Sequence, residues 1–349
     1  MSIKAACAAM LLLPSAAPAQ QAPAEDEPRF TVPDSVSPEA RAILAPALAA
    51  QRQARPQRVN LGTDLLSIRA MAEQGAAERM AAVADRYRVV ATPATLDGVP
   101  VLRVVPRDAA RGKRLLIYVH GGGWATGSAR SSFRTAAIFA DATKLEVVSV
   151  DYGLAPEQDF RGVTGQVAAV YRALLAAGHD ASRIGLFGDS AGGNIILGTT
   201  LRLRDEGQPL PAALVGLSPC TDLGAEGDTR RTLADADPVL DVPETLEAMR
   251  LAYAGEDAAA GMLHPWASPV RGDYRKPFPP TLIQGGTREL LLSDFVRQYQ
   301  VMRGAGREAM LDLYEGMPHV FMSYLADTPE GRQAIATARD FLLARLAAD

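Results

Sequence analysis

Short apolar runs alternate with helical patterns along most of this 349-residue chain. Such runs are typical of strands buried on both faces of a sheet. The runs after residue 110 are Leu115–Val119, Glu146–Val150, Ile184–Phe187, Ala213–Leu217, Thr281–Ile283 and Met310–Tyr314. The helical patterns are Phe133–Thr143, Val163–Ala176, Ala191–Arg204, Ser293–Gly304 and Pro329–Leu346. This alternation predicts an α/β protein with a mostly parallel central sheet flanked by helices.

The segment before these strands has a different character. Residues 38–84 contain one or two alanine-rich helical segments, the first beginning after Ser37, a residue type that caps helices. Extended patterns follow at residues 86–91 and 101–105, and Asp97-Gly98 between them is typical of a hairpin turn. We therefore expect N-terminal helices and then a hairpin.

One stretch interrupts the alternation. Residues 222–275 contain no strong strand pattern, several Asp and Pro residues, and one helical pattern at Pro243–Tyr253. This stretch is predicted to be an insertion into the α/β core, which then consists of residues 85–221 and 276–349.

The N-terminus has the pattern of an export signal. Lys4 precedes the apolar run Ala5–Leu13, and Ala17-Pro18-Ala19 matches a cleavage site. Residues 1–19 are therefore predicted to be a signal peptide and residues 20–37, rich in Pro, Ala and acidic residues, a flexible leader. We expect the mature protein to be exported to the periplasm or secreted.

Composition narrows the function classes. Apolar residues make up 48% of the chain and charged residues 22%, ordinary values for a globular protein. The formal net charge of −4 gives no basic face for nucleic acid, and no apolar run is long enough to span a membrane. No H-E-x-x-H, C-x-x-C or P-loop motif is present, so we expect neither a metal ion nor a cofactor.

A serine motif lies at one predicted junction between strand and helix. Gly188-Asp189-Ser190-Ala191-Gly192 reads G-x-S-x-G, the pattern of a nucleophile elbow. Its glycines suit a turn in which a Cβ would clash with neighbouring backbone. The apolar run before the motif and the helical pattern after it supply the expected context.

A glycine-rich loop follows the run Leu115–Val119. His120 is followed there by three glycines, whose backbone N–H groups can point into a concavity. This arrangement is typical of an oxyanion hole, which stabilises negative charge on a tetrahedral intermediate. We expect the donors to be the N–H groups of Gly121, Gly122 and Ala191.

A serine nucleophile needs a base, and the chain has four histidines. His120 belongs to the glycine loop, and His179 lies in a polar turn. His319 follows the last predicted strand, and α/β sheets keep their active sites at the carboxyl ends of strands. His319 is therefore the predicted base, with His264 in the insertion as the alternative.

The base in turn needs an acid, which lies between the serine and the histidine in this chain order. Glu289 follows the predicted strand Thr281–Ile283, as such an acid should. Asp294 is the alternative, although its place after Ser293 is typical of the first turn of a helix.

Together these motifs resemble the hormone-sensitive-lipase-type family of α/β-hydrolase carboxylesterases. The matching residues are His120-Gly121-Gly122-Gly123-Trp124, Asp151-Tyr152, Leu154-Ala155-Pro156-Glu157, Gly188-Asp189-Ser190-Ala191-Gly192-Gly193-Asn194, Gly285, Gly286, Glu289, His319 and Phe321. The resemblance covers residues 85–349 and implies an α/β-hydrolase fold with a helical cap, for which residues 38–84 and 222–275 are the candidates.

The chain departs from the family pattern at three positions. Glu289 stands where the family usually has Asp within an Asp-Pro-Leu run, Gly153 replaces an Arg, and Val320 replaces a Gly. None of these changes removes a reacting group.

The resemblance implies a serine hydrolase that cleaves short- to medium-chain acyl esters through a Ser190–Glu289–His319 triad and an acyl-enzyme. Trp124 and Phe321 either line its acyl pocket or pack in the core. The alternatives are an amidase, carbamate or lactone hydrolase with the same triad, and a non-catalytic binding protein of the same fold. The family also makes a homodimer possible.

We predict that the exported protein begins at Gln20, because cleavage follows the Ala17-Pro18-Ala19 pattern. N-terminal sequencing of protein recovered outside the cytoplasm checks this. A mature chain that still carried Met1 would contradict the predicted signal peptide.

Overall fold

An eight-stranded sheet forms the centre of the computed structural model, which describes residues 30–54, 65–109, 112–240 and 243–347. Its strand order is β1-β2-β4-β3-β5-β6-β7-β8. The strands are β1 Val89–Leu96, β2 Val99–Pro106, β3 Leu115–Val119, β4 Glu146–Val150, β5 Ile184–Asp189, β6 Ala213–Leu217, β7 Thr281–Gly286 and β8 Ala309–Tyr314. In this sheet order, each neighbouring pair from β4 to β8 is parallel. At the other edge, β2 pairs antiparallel with both β1 and β4.

Helices cover both faces of this sheet. They are α1 Pro38–Ala54, α2 Leu65–Glu73, α3 Ala76–Arg86, α4 Phe133–Thr143, α5 Phe160–Ala176, α6 Ala191–Asp205, α7 Thr229–Thr232, α8 Pro243–Ala254, α9 Ala258–Leu263, α10 Leu292–Gly304, α11 Phe321–Tyr324 and α12 Pro329–Leu343. The predicted α/β-hydrolase fold, with a mostly parallel sheet flanked by helices, is confirmed.

The alternation of side chains along β3 shows how the two faces form. Ile117 and Val119 pack with α5 and α6, while Leu116 and Tyr118 pack with α4 and α12 on the opposite face. All of β3 is buried, which explains its uninterrupted apolar sequence. Burial of each such aliphatic side chain stabilises the fold by about 1.5–3 kcal/mol.

The first hairpin forms at the predicted turn, but its first strand begins later than expected. Asp97 and Gly98 both have positive φ, 46° and 78°, as a two-residue hairpin turn requires. Arg86 is the last residue of α3 rather than part of a strand, and Arg88, with a φ of 52°, reverses the chain before β1 starts at Val89.

Strands β3, β5, β6, β7 and β8 run parallel to one another in this order. Their carboxyl ends therefore lie at one edge of the sheet. The loops that leave this edge carry the residues singled out above. Residues far apart in sequence therefore meet there, as the strand order requires.

Helical segments from two parts of the chain lie around this edge. Between β6 and β7, the described residues of 222–275 form α7, α8, α9 and connecting turns, and no strand. From the N-terminal part, Arg69 of α2 donates to the carbonyls of Ala125 and Ala155 and pairs with Glu157 at 2.8 Å. This contact attaches α2 to the loops of the core.

The predicted signal peptide, residues 1–19, lies outside the described residues, as does most of the leader. Within the described part of the chain, no helix combines the length and apolar character needed to cross a membrane.

Candidate active site

Ser190 occupies a strained turn between β5 and α6. Its φ and ψ are 53° and −119°, and its N–H donates to the carbonyl of Leu217 at 2.8 Å. A Cβ on Gly188 would lie 2.6 Å from the backbone of Gly192, and one on Gly192 would lie 1.9 Å from the carbonyl oxygen of Val119. Both glycines are needed because three backbone segments converge here, as in a nucleophile elbow.

His319 and Glu289 form a buried pair beside this elbow. The distance from His319 Nδ1 to Glu289 Oε2 is 2.7 Å, and Glu289 is fully buried. The other oxygen of Glu289 accepts the Gly286 N–H at 2.6 Å and the Ser218 hydroxyl at 2.7 Å. These bonds fix the carboxylate so that it can hold the Nδ1–H tautomer of the imidazole.

Asp294, the alternative acid, has a different set of partners. Its Oδ2 accepts the N–H groups of Thr221 and Asp222 at 2.9 and 3.1 Å, and Arg230 pairs with it at 3.2 Å. Its position in the first turn of α10 matches the helix-terminal role considered from sequence. Of the two candidate acids, the structure therefore brings Glu289 to the histidine.

The environment of His319 has opposing effects on its basicity. Burial lowers the pKa of the imidazole, but its hydrogen bond with Glu289 and the charges of Glu289 and Asp237 outweigh this effect. The pKa of His319 is therefore raised above its ordinary value. A base with a raised pKa is unprotonated, and able to accept a proton, only at a higher pH than an ordinary histidine.

A cavity of about 420 Å³ opens beside Ser190 and His319, both of which line it. Its apolar walls are contributed by Val239, Leu240, Leu246, Met249, Val320 and Tyr324. A concave, mostly apolar site next to a few polar groups is the usual form of a small-molecule pocket.

The contacts of the glycine loop favour Gly122 and Gly123 over Gly121 as oxyanion donors. The N–H of Gly121 donates to Asp189 Oδ1 at 3.3 Å, and Gly121 is not among the described residues that line the cavity. Gly122 and Gly123 do line it, beside Ser190. Gly121 thus holds the loop against the elbow, and Gly123, which belongs to the same glycine run but was not among the predicted donors, lies at the cavity instead.

The predicted third donor, Ala191, is placed as expected at the first position of α6. N–H groups in the first turn of a helix have no acceptor within the helix, so that of Ala191 is suited to an oxyanion.

Trp124 and Phe321 pack in the core and are not among the cavity-lining residues described. Trp124 is fully buried, its ring stacks on Tyr253 at 5.0 Å, and its indole N–H donates to Asn194 Oδ1 at 3.2 Å. Phe321 is fully buried against Tyr314, with ring centroids 5.0 Å apart. Positive φ angles at Trp124 and at Val320, before Phe321, turn the chain so that both rings enter the core. Of the two alternatives considered from sequence, these contacts favour packing in the core.

Two other histidines have packing roles. The ring of His120 stacks on Tyr152 at 4.3 Å, and its Nδ1 contacts the Gly121 carbonyl at 2.8 Å. His264, the alternative base, lies against Phe160 at the end of α9 and does not line the described cavity. In the described ranges, no cluster of three or more His, Cys, Asp or Glu residues is arranged to hold a metal ion.

Comparison with known proteins shows the family of this chain. A family model described as the alpha/beta hydrolase fold matches residues 116–323, more than half of the chain. The chain belongs to the alpha/beta hydrolase family. This hydrolase is 36% identical to an acetyl-hydrolase of Streptomyces hygroscopicus, over 68% of its own length and 77% of the relative's. It is 33% identical to an esterase of Acinetobacter venetianus, over 66% and 75% of the two chains.

Solved structures show which group of proteins within the family this chain resembles. An esterase from the bacterial hormone-sensitive lipase family matches 89% of this hydrolase and 99% of its own chain, with a TM-score of 0.76 and 32% identity. Esterase E25 matches 92% and 98% of the two chains, with a TM-score of 0.82 and 28% identity. The predicted resemblance to the hormone-sensitive-lipase type, and the predicted class of carboxylesterase-type serine hydrolase, are confirmed.

We expect Glu289→Gln to lower kcat by about 10³- to 10⁴-fold, because the amide cannot stabilise the imidazolium. The acid limb of the kcat/KM profile should also move to lower pH, because Glu289 raises the pKa of His319 and its loss lowers that pKa. Initial rates between pH 5 and 9 measure both effects.

Asp294→Asn is the matched control, since Asp294 is also a fully buried carboxylate. We expect it to leave the acid limb in place. A profile that moved in Asp294→Asn but not in Glu289→Gln would contradict the choice of Glu289.

Proposed function

We propose that this hydrolase cleaves carboxylic esters with short- to medium-chain acyl groups through a Ser190–Glu289–His319 triad. The observation that carries the proposal is the 2.7 Å contact between His319 and the buried Glu289, beside an apolar cavity lined by Ser190. The relatives named as esterases and acetyl-hydrolases support the same class of substrate.

In the first half of the reaction, Ser190 attacks the ester carbonyl while His319 accepts its proton through Nε2. Glu289 holds Nδ1–H and stabilises the imidazolium that forms. The oxyanion is stabilised by the N–H groups of Gly122, Gly123 and Ala191, and loss of one such donor typically costs about 10²- to 10³-fold in rate. His319 then gives its proton to the leaving alcohol, which leaves an acyl group on Ser190.

In the second half, water replaces the alcohol. His319 accepts a proton from water as it attacks the acyl-enzyme, and the same donors stabilise the second oxyanion. His319 returns the proton to Ser190, and the carboxylic acid departs. Both halves use one base and one set of backbone donors, so the described residues supply every group the reaction needs.

The walls of the cavity support a limit on acyl length. Met249 of α8 packs on the glycine loop, and a Cβ on Gly123 would lie 2.4 Å from its sulfur atom. The Met249 side chain thus lies against the glycine loop, where it narrows the cavity beside Ser190. A solved structure of a similar esterase, EstE5, was soaked with p-nitrophenyl butyrate, an ester of this size, and it matches this chain with a TM-score of 0.76.

Export and assembly complete the proposal. The N-terminal pattern of residues 1–19 supports export to the periplasm or medium. The family resemblance supports a homodimer.

Hydrolysis of p-nitrophenyl esters from acetate to dodecanoate tests the reaction. We expect kcat/KM to peak at short to medium chains and Ser190→Ala to abolish turnover, because no other described hydroxyl is held at the elbow. Matched p-nitroanilides separate an esterase from an amidase. A folded wild-type protein that hydrolysed none of the esters would contradict the proposal.

Met249→Ala should shift the preference toward longer acyl chains, because it removes the side chain over the glycine loop. We expect kcat/KM for octanoate relative to acetate to rise by about 10-fold, the value of one to two newly buried CH₂ groups. Met310→Ala, on the exposed face of β8, is the control and should leave the ratio unchanged. An unchanged ratio in Met249→Ala would show that another residue sets the limit.

A further inference from the structure

Asp237 is a buried carboxylate in the insertion that the proposed reaction does not use. It lies between α7 and α8 and is fully buried. Its Oδ2 accepts the backbone N–H of His319 at 2.8 Å. Its Oδ1 accepts the N–H groups of Val239 and Leu240 at 2.8 and 3.2 Å. One side chain thus joins the insertion to the loop that carries the histidine.

The same residue is attached to the N-terminal helices. Gln51 of α1 is buried, and its amide donates to the backbone carbonyl of Asp237 at 2.6 Å. Val239 and Leu240, held by the Asp237 carboxylate, form part of the apolar wall of the cavity. Asp237 therefore lies where α1, the cavity wall and the histidine loop meet.

The histidine loop is held from two sides. Asp237 binds the N–H of His319, and the hydroxyl of Ser218 accepts the N–H of Val320 at 3.0 Å. The Ser218 hydroxyl also donates to Glu289, so this anchor belongs to the core. The anchor at Asp237 belongs to the insertion instead, and it acts on the backbone of the base itself.

The pKa of Asp237 depends on its burial and on the charges of His319 and Glu289. Burial raises the pKa of its carboxyl to about 7, the charge of His319 lowers that pKa and the charge of Glu289 raises it. The charge of Asp237 also raises the pKa of Tyr324, on α11. The carboxylates of Glu289 and Asp237 thus flank His319, one at its ring and the other at its backbone.

We infer that Asp237 is a positioning residue, whose carboxylate fixes the backbone of His319 and couples the place of the base to the cavity wall formed by Val239 and Leu240. The inference rests on the proposed function, in which His319 is the base. A base that is displaced from the reacting hydroxyl by less than the length of a hydrogen bond loses much of its catalytic efficiency. We therefore expect the contact between Asp237 and His319 to affect kcat rather than substrate binding.

Asp237→Asn removes this contact selectively. The asparagine oxygen can still accept the N–H groups of Val239 and Leu240, but its NH₂ group would face the N–H of His319, a donor against a donor. A neutral side chain of the same shape suits a buried site whose carboxyl already has a pKa of about 7. The variant therefore tests the anchor while the cavity wall stays in place.

We expect Asp237→Asn to lower kcat for p-nitrophenyl acetate by about 10- to 100-fold with KM changed less than about twofold. The acid limb of the kcat/KM profile should also move to lower pH, because the charge of Asp237 raises the pKa of His319. Asp237→Glu keeps the charge but displaces the contact, so it should lower kcat and leave the acid limb in place.

Asp294→Asn is again the control, because it alters a buried carboxylate that binds backbone N–H groups away from His319. It should lower the melting temperature and leave the acid limb unchanged. If Asp237→Asn does not fold, Asp237→Glu carries the test through its kcat.

Each outcome separates this inference from the function on which it rests. An active wild type with an inactive Ser190→Ala, together with a folded Asp237 variant of unchanged kcat, would overturn the role of Asp237 alone. A variant that loses thermal stability but keeps kcat and the acid limb would also overturn it. A folded wild type without esterase activity would overturn the proposed function and this inference with it.

Discussion

The backbone of the elbow at Ser190 packs directly on the end of β3, and the rest of the site depends on this close approach. Gly192 lies so near the carbonyl of Val119 that a Cβ between them would be 1.9 Å from the oxygen. The loop that follows β3 is thereby brought beside the serine, with Gly121 bound to Asp189 and Gly122 and Gly123 at the cavity. Ser190 and the glycine loop lie together because the backbones of α6 and β3 are in close contact.

Buried carboxylates hold the loops around this contact. Asp237, Glu289 and Asp294 are fully buried and Asp189 is partly buried, and each accepts at least one backbone N–H. A buried charge is costly unless it is hydrogen-bonded, so each of these groups specifies one arrangement of the loop it binds. Of these four carboxylates, Glu289 is the one that also contacts the ring of His319, so its role differs from that of the other three.

The insertion contributes to the wall of the cavity, and the N-terminal helices are hydrogen-bonded to residues beside it. Val239, Leu240, Leu246 and Met249 come from the insertion, and together they make most of the apolar wall. The N-terminal helices reach the same region through Gln51, which binds Asp237, and through Arg69, which binds the loops below the glycine turn. Changes in these helices can therefore affect the cavity through hydrogen bonds.

The sequence alone determined the sheet, the elbow and the order of the candidate site residues, because these depend on local patterns: apolar runs, turn glycines and the loops after strands. Phe133–Thr143 and Ala213–Leu217 were predicted to the residue for this reason. Only the tertiary structure showed that Glu289 rather than Asp294 contacts His319, that Trp124 and Phe321 pack in the core, and that Gly123 lines the cavity while Gly121 binds Asp189. Those questions depend on which groups meet across the ends of several strands, and neither spacing nor composition contains the direction of a side chain or of an N–H group. Asp237 belongs to this second class, since its contact with His319 spans 82 residues of sequence.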